Sequence, residues 1–332
     1  MIALGNAPRV GFLGVGWIGR HRMEAILKAG DVDAVAIVEP QDELAAAALA
    51  LAPAATRVDS LDALLALDLD GIVIATPSAA HAAQSIQALD AGKAVFCQKP
   101  LGRTAAEVRS VVEAARRADR LLAVDLSYRF TEGAQQLCAL VREGALGPLH
   151  AIDLTFHNAY GPDKPWFYDR ALSGGGCVMD LGVHLIDLAL WMLPGAAVVD
   201  VTSNLFSGGR PLTNTSAEVE DFAVATLTLD TGAVVRLACS WNLPAGQEAV
   251  ISASAYGAHG GGALRNVNGS FYDFTAERYV GTSTEILSTP PDDWGGRAAI
   301  EWASRLRRGQ RFDPEIESIV AVADAIDRIY DR

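Results

Sequence analysis

The first 125 residues alternate short β-branched runs with longer stretches rich in alanine and leucine, and this beat narrows the possible folds more than any other feature of the chain. Residues 10–13 lead into 18–29, 34–38 into 42–50, 71–75 into 79–91, and 94–97 into 104–118, and 121–124 close the series. Strands separated by crossover helices imply a mainly parallel, doubly wound sheet, because each connection has to return over a sheet face. The expectation is an α/β, Rossmann-like domain over residues 1–125.

After residue 125 the pattern changes to longer alternating strands at 149–157, 198–206, 222–229 and 233–241, with Asp230, Thr231 and Gly232 as a hairpin turn. That pattern predicts a second, α+β domain over residues 126–332, built on a large, mainly antiparallel open sheet and closed by helices at 297–308 and 315–330. Residues 257–262 read as a flexible glycine-rich loop. A length of 332 residues suits two domains, each able to bury a core.

A net charge of −13 with no basic cluster argues against nucleic acid as a partner. No run of 18 or more apolar residues suggests a membrane span, and the N-terminus lacks the basic and apolar regions of a signal peptide. Cys97, Cys138, Cys177 and Cys239 lie far apart without a Cys-x-x-Cys pair, which disfavours structural zinc and a disulfide framework. These features fit a protein of the reducing cytoplasm.

Two features carry chemistry. The first is Gly14-x-Gly16-x-x-Gly19, directly after the first strand and at the start of a helix, where glycine serves a tight turn, close approach of backbone N–H groups to a pyrophosphate, and helix packing. Glu39 ends the second strand, where a carboxylate accepts from adenosine ribose hydroxyls and repels a 2′-phosphate. Pro40 and Gln41 supply no cation, so NAD is expected over NADP. The second is a helix over residues 178–192, apolar except for Asp180, His184 and Asp187. At about 100° per residue these three fall within roughly a 60° arc, and polar groups on a buried helix need partners or a polar cavity.

Together with Ala75-Thr76-Pro77 and His81, Lys99-Pro100, Tyr128-Arg129-Phe130, Gly174-Gly175-Gly176 and Asp180-x-Gly182-x-His184, these motifs resemble the Gfo/Idh/MocA oxidoreductases in order and over essentially the whole chain. The resemblance implies a substrate pocket between the domains and a cofactor against Gly14, Gly16, Trp17, Ile18, Gly19, Glu39, Thr76, Pro77, His81, Gln98 and Lys99. It implies Lys99, Asp180 and His184 as the catalytic group and a sugar, cyclic polyol or sugar derivative as substrate. A homodimer or homotetramer is also implied.

In that reading His184 is the base that removes the hydroxyl proton as hydride leaves for the nicotinamide. Lys99 stabilises charge on the reacting oxygen, and Asp180 holds the substrate or the lysine. Tyr128, Arg129, Asn158, Tyr160, Trp166 and Tyr168 offer stacking faces and hydrogen bonds to a sugar ring, or pack. His81 contacts the cofactor or packs at a helix start, and Asp187 orients His184 or is structural. Without the resemblance Lys99 reads as a surface lysine and Pro100 as an ordinary trans turn proline.

Gln98 stands where the family usually has glutamate, which removes a negative neighbour from Lys99 and would ease its deprotonation. Three other readings remain open. One is a glycosidase that oxidises its sugar transiently, and another is a nucleotide-binding regulator that has lost catalysis. The third is a metal enzyme using Asp180 and His184, which the charge of Lys99 disfavours, so no metal is expected.

Overall fold

The computed structural model describes residues 7–212 and 218–332, which form two compact units. One takes in the chain up to Gly102, Ala106–Asp125 and Gly296–Glu317. The other takes in Arg103–Ala105, Leu126–Gly295 and Ser318–Arg332.

The first unit runs β1 (Arg9–Leu13), α1 (Trp17–Ala29), β2 (Asp33–Val38), α2 (Asp42–Leu51), β3 (Thr56–Arg57), α3 (Leu61–Leu65), β4 (Gly71–Ile74), α4 (Ser78–Asp90), β5 (Ala94–Cys97), α5 (Ala105–Ala118) and β6 (Leu122–Val124). The six strands pair in parallel in the order β3-β2-β1-β4-β5-β6. Val10, Phe12, Ile37, Ile72, Ile74, Val95 and Phe96 are buried in the sheet, as strands covered on both faces must be. The strand order reverses between β1 and β4, and a crevice opens at the carboxyl ends of strands at such a switch point. The glycine loop follows β1 there. β3 and α3 are too short to leave a periodic trace and were absent from the sequence pattern.

The second unit begins with a 3₁₀ turn at Ser127–Phe130, then α6 (Glu132–Arg142), β7 (Leu149–Asn158), α7 (Arg170–Ser173), a π turn at Val178–Gly182 and α8 (Val183–Met192). Eight further strands precede the return to helix, the first seven being β8 (Val198–Ser207), β9 (Arg210–Pro211), β10 (Phe222–Leu229), β11 (Val234–Ser240), β12 (Ala249–Gly257), β13 (Gly261–Asn266) and β14 (Phe274–Val280). β15 (Ser283–Ser288) forms the far edge of a nine-stranded sheet in the order β15-β14-β13-β12-β7-β11-β10-β8-β9. Every pairing is antiparallel except β7 with β11. Strand residues alternate buried and half-buried, as on β10, and α6, α8 and α10 (Ser318–Ile329) pack against this sheet or one another.

Three sequence expectations change. The second unit is not continuous to the end of the chain: Gly296–Glu317, with α9 (Arg297–Arg307), belongs to the first unit, and Ser318–Arg332 returns to the second. Its Trp302, almost fully buried, packs 5.9 Å from the Phe96 ring, and a Cβ on Gly71 would lie 3.0 Å from the Trp302 ring. An apolar helix face docks where it is best covered, whatever its place in the chain.

Residues 257–262 are a tight β12–β13 hairpin rather than a flexible loop. Gly257 and Gly262 allow backbone to approach Leu146 and Leu137 closely, since a Cβ would lie 2.2 Å from the Leu146 carbonyl oxygen and 2.9 Å from the Leu137 side chain. Arg170–Met192 is long and apolar enough to cross a membrane, although the sequence reading found no such run. Its most apolar stretch is 89% buried, so its apolar surface is covered inside the protein.

Candidate active site

The three motif glycines have three separate physical reasons. Gly14 has φ +83° and leaves no room for a Cβ, which would lie 2.7 Å from the Ala75 carbonyl oxygen. At Gly19 a Cβ would lie 2.2 Å from the Gly14 oxygen, so helix α1 could not start where it does. Gly16 caps α1 with an ordinary φ of −59°, and a Cβ there would meet nothing within 4 Å. Open space at the one glycine the fold does not need is what a pyrophosphate-binding loop requires.

Glu39 lies beside this loop, its carboxylate accepting from the backbone N–H of Val15 and Gln41, each at 3.1 Å. These residues fit an adenine dinucleotide. Trp17 is 65% exposed at the start of α1 and stacks on His21, and Ile18 is half-buried beside it.

Pro40 and Gln41 supply no cation, but a residue distant in sequence brings one to the end of β2. Arg57 of β3 donates to the carbonyl oxygens of Glu39 at 2.9 Å and Pro40 at 3.0 Å, and to Asp42 at 2.6 Å. It is 18 residues away in sequence and arrives only because β3 pairs with β2.

The loops after β4 and β5 are tied together by His81. Its Nδ1 lies 2.6 Å from the Pro100 carbonyl oxygen and its Nε2 2.7 Å from that of Thr76, and the residue is 1% exposed. Both ring nitrogens are thereby engaged by main chain, which gives His81 a loop-holding role. Burial lowers its pKa below the usual histidine value, against the two carbonyls, which favour the charged ring. Thr76 Oγ1 donates to Gln84 at 2.6 Å, and Pro77 precedes α4. The Lys99-Pro100 bond is cis, not the trans bond of an ordinary turn.

Gln98 accepts from the Lys99 N–H at 3.0 Å and donates through Nε2 to Asp125 at 2.7 Å. Gln98 thus puts an amide where the family usually has glutamate, and the carboxylate of Asp125 stands behind that amide.

In the second unit the polar helix starts as a π turn, in which the Val183 N–H reaches back to the Val178 carbonyl as well as to Leu181. A single arc for Asp180, His184 and Asp187 assumed a uniform 100° step, which this turn breaks. Asp180 accepts from the indole N–H of Trp241 at 3.0 Å. His184, 8% exposed, meets the Tyr128 ring edge-on at 5.0 Å. Tyr128 also packs on Trp294, Phe156 and Phe274, and burial, with the negative charge of Asp180, raises its phenol pKa.

Arg129 does not present its guanidinium as a free sugar-binding group: it clasps Asp187. Tyr168 meets Trp241 edge-on at 5.6 Å, Trp166 stacks on Phe167 at 3.8 Å, and Phe167 in turn approaches Trp241. Asn158 Oδ1 accepts from the Tyr160 N–H at 2.8 Å. The second unit therefore joins Tyr128 to His184, and Tyr168 to Asp180 through Trp241. Lys99 belongs to the first unit.

Glu220 determines how this helix begins. Buried, it accepts from the N–H of Gly176 with both oxygens at 3.0 Å, from Val178 N–H at 2.9 Å and from the Tyr330 hydroxyl at 2.7 Å. A carboxylate on N–H groups at a helix start is favourable, although burial raises its pKa. The glycine triplet makes room for it. A Cβ on Gly176 would lie 1.9 Å from the Glu220 carbonyl oxygen, and one on Gly175 would lie 2.1 Å from the Tyr330 hydroxyl. Sequence reasoning missed Glu220, Trp241, Arg57 and Asp125. The only trace was an acidic residue at 220 in a polar stretch leading into an apolar strand. Among the described residues no group of three or more His, Cys, Asp or Glu side chains is placed to hold a metal ion.

Residues 8–126 match a family model described as an oxidoreductase family with an NAD-binding Rossmann fold, and residues 134–279 match the GFO/IDH/MocA C-terminal domain. The D-glucoside 3-dehydrogenase of Escherichia coli K12 is 26% identical over 86% of this chain and 83% of its own length. The inositol 2-dehydrogenase of Rhizobium meliloti 1021 is 28% identical over 95% of this chain and 88% of its own. A levoglucosan dehydrogenase solved with NADH and levoglucosan superposes with a TM-score of 0.84 at 21% identity, covering 98% of this chain and 97% of that one, and so shares the fold.

Proposed function

From the premise that the chain belongs to the GFO/IDH/MocA oxidoreductase family, we propose that it is a dehydrogenase that oxidises a ring hydroxyl of a sugar, cyclic polyol or sugar derivative. The observation that carries this reading is the pair formed by Asp180, fixed by Trp241, and His184, set against Tyr128, at one end of a buried helix and among aromatic faces. A carboxylate held in place suits the hydroxyls of a polyol, and flat aromatic rings suit the C–H faces of a sugar ring.

His184 takes the hydroxyl proton, and in the reverse direction returns it. Lys99 hydrogen-bonds the reacting oxygen and stabilises the negative charge that develops there. Asp180 orients the substrate. The nicotinamide nucleotide, when bound, supplies the hydride acceptor. Gly14, Gly16, Gly19 and Glu39 hold it, with Thr76 and Pro77 at the neighbouring loop.

NAD is the preferred form in this reading, because Glu39 carries its charge where a 2′-phosphate would sit. The guanidinium of Arg57 is already committed to Glu39, Pro40 and Asp42. The functional form is a homodimer or homotetramer, and the working compartment is the cytoplasm.

The test is the appearance of NADH when the protein is given NAD and a panel of aldoses, inositols, anhydrosugars and sugar acids, beside a His184→Ala control. Turnover that vanishes in the control supports the reading. Tight NAD binding without turnover on any of them, or glycoside cleavage without net NADH, would overturn it.

A further inference from the structure

We propose that Asp125, held by Arg22, is a positioning residue for Lys99 that acts through the side-chain amide of Gln98. Arg22 projects from α1, the helix that starts at the glycine loop, and its Nε donates to Asp125 Oδ2 at 2.6 Å. The two side chains are 9% and 0% exposed. Gln98 Nε2 donates to the same oxygen at 2.7 Å, and Gln98 Oε1 accepts from the backbone N–H of Lys99 at 3.0 Å. Main-chain bonds brace both ends, with Gln98 N–H on the Ile74 carbonyl at 2.8 Å and Asp125 N–H on the Cys97 carbonyl at 2.9 Å.

The polarity of this chain of bonds has one solution. The Lys99 N–H demands an acceptor and the Asp125 carboxylate demands a donor, and only an amide turned with its oxygen to Lys99 supplies both. Glutamate at position 98 would satisfy Lys99 but set a second carboxylate at hydrogen-bond distance from Asp125, where the two cannot both ionise without repulsion. The departure of Gln98 from the family's glutamate thus has a physical partner in Asp125. Arg22 neutralises the remaining charge, and a buried ion pair with a further donor is the form in which such a charge is tolerated. The result links the cofactor-side helix to the residue proposed to act on the substrate oxygen.

A charge swap tests this. In Gln98→Glu the new carboxylate faces Asp125. When Gln98→Glu is combined with Asp125→Asn, the asparagine side chain turns so that its Nδ2 donates to the new carboxylate and its Oδ1 accepts from Arg22, two atoms taking the place of the one Asp125 oxygen that served both. The bonds then re-form with their polarity reversed and the number of charges unchanged. The assignment rests on the proposed role of Lys99, so it is read in two ways on the native protein, both single variants and the double variant.

The first reading is kcat and its pH profile with the best substrate of the panel. The expectation is a loss of about tenfold or more in Gln98→Glu. In the double variant most of the rate returns with a displaced pH profile, because a carboxylate then accepts from the Lys99 backbone N–H in place of a neutral amide. The second needs no substrate: trace acetylation with acetic anhydride, followed by mass spectrometry, gives the reactivity of Lys99 relative to exposed Lys28. That ratio should change in Gln98→Glu and change back in part in the double variant. If the native protein turns over nothing, the functional reading fails while the labelling ratio still tests this one. A ratio equal in all four proteins overturns the assignment, and so does a double variant no more active than the poorer single one. Rescue of folding alone, with melting temperature restored and neither readout moved, makes Asp125 merely structural and overturns it as well.

Discussion

Arg129 grips Asp187 with two parallel hydrogen bonds, Nε at 2.7 Å from one carboxylate oxygen and a terminal nitrogen on the other. The side chain of Asp187 is 2% exposed. Burial pushes its carboxyl above the usual range, and the guanidinium pulls it back. Arg129→Ala leaves this carboxyl buried without its cation and should cost about 3–5 kcal/mol. Arg129→Lys keeps the charge but not the fork, and should lose less. Urea unfolding at neutral pH measures both, and a loss below about 1 kcal/mol for the alanine variant would class the pair with weak surface bridges.

The glycines separate folding from binding. Gly16→Ala adds a methyl to open space at an ordinary φ. Its melting temperature should stay within about 2 °C of native, while NAD affinity falls about tenfold or more. Gly176→Ala drives a Cβ into the Glu220 main chain and should cost more than about 3 kcal/mol. Calorimetry and an NAD titration on the two variants would expose an error if both lost the same property.

His81 gives the stability a pH dependence of definite sign. Its folded-state pKa is lowered from 6.5, with burial as the largest cause. The unfolded chain therefore takes up the proton first, and the stability contributed by the neutral buried ring is present above pH 6.5 and lost as pH falls toward the lowered value. The stability difference between native protein and His81→Gln should shrink between about pH 7.5 and about pH 5. Denaturant unfolding across that range decides the matter, because a difference that widens on acidification would mean a charged ring clamped between the Thr76 and Pro100 carbonyls.

Trp241 offers a clean test of Asp180. Phenylalanine at position 241 keeps an aromatic face against Tyr168 and removes the indole N–H that holds the carboxylate. A hydrogen bond to a charged group contributes about 1.5–3 kcal/mol, so kcat/KM in Trp241→Phe should drop by roughly ten- to a hundredfold, with NAD affinity unchanged. Full activity in that variant would remove Trp241 from the account of the site.

Local periodicity in the chain determined the parallel α/β unit and the mainly antiparallel sheet of the second unit. The glycine loop with Glu39 is legible from its place after the first strand, and Asp180 and His184 stand out as polar interruptions of an apolar helix, whereas Lys99 is singled out only by the family resemblance. Strand alternation, crossover length and the special backbone needs of glycine are all written in neighbouring residues. Tertiary structure alone decided what those residues touch. Trp302 takes α9 to the first unit because apolar burial is indifferent to sequence distance. Arg57 reaches the end of β2 through strand pairing.

Glu220 explains Gly175 and Gly176 only once β10 brings that carboxylate to the start of the helix. The π turn redirects Asp180 by one extra residue in a hydrogen-bonded ring, too small a change to alter the apolar pattern. Arg129, read as a sugar ligand, instead serves Asp187, because a buried charge must be met by whichever opposite charge the fold places beside it.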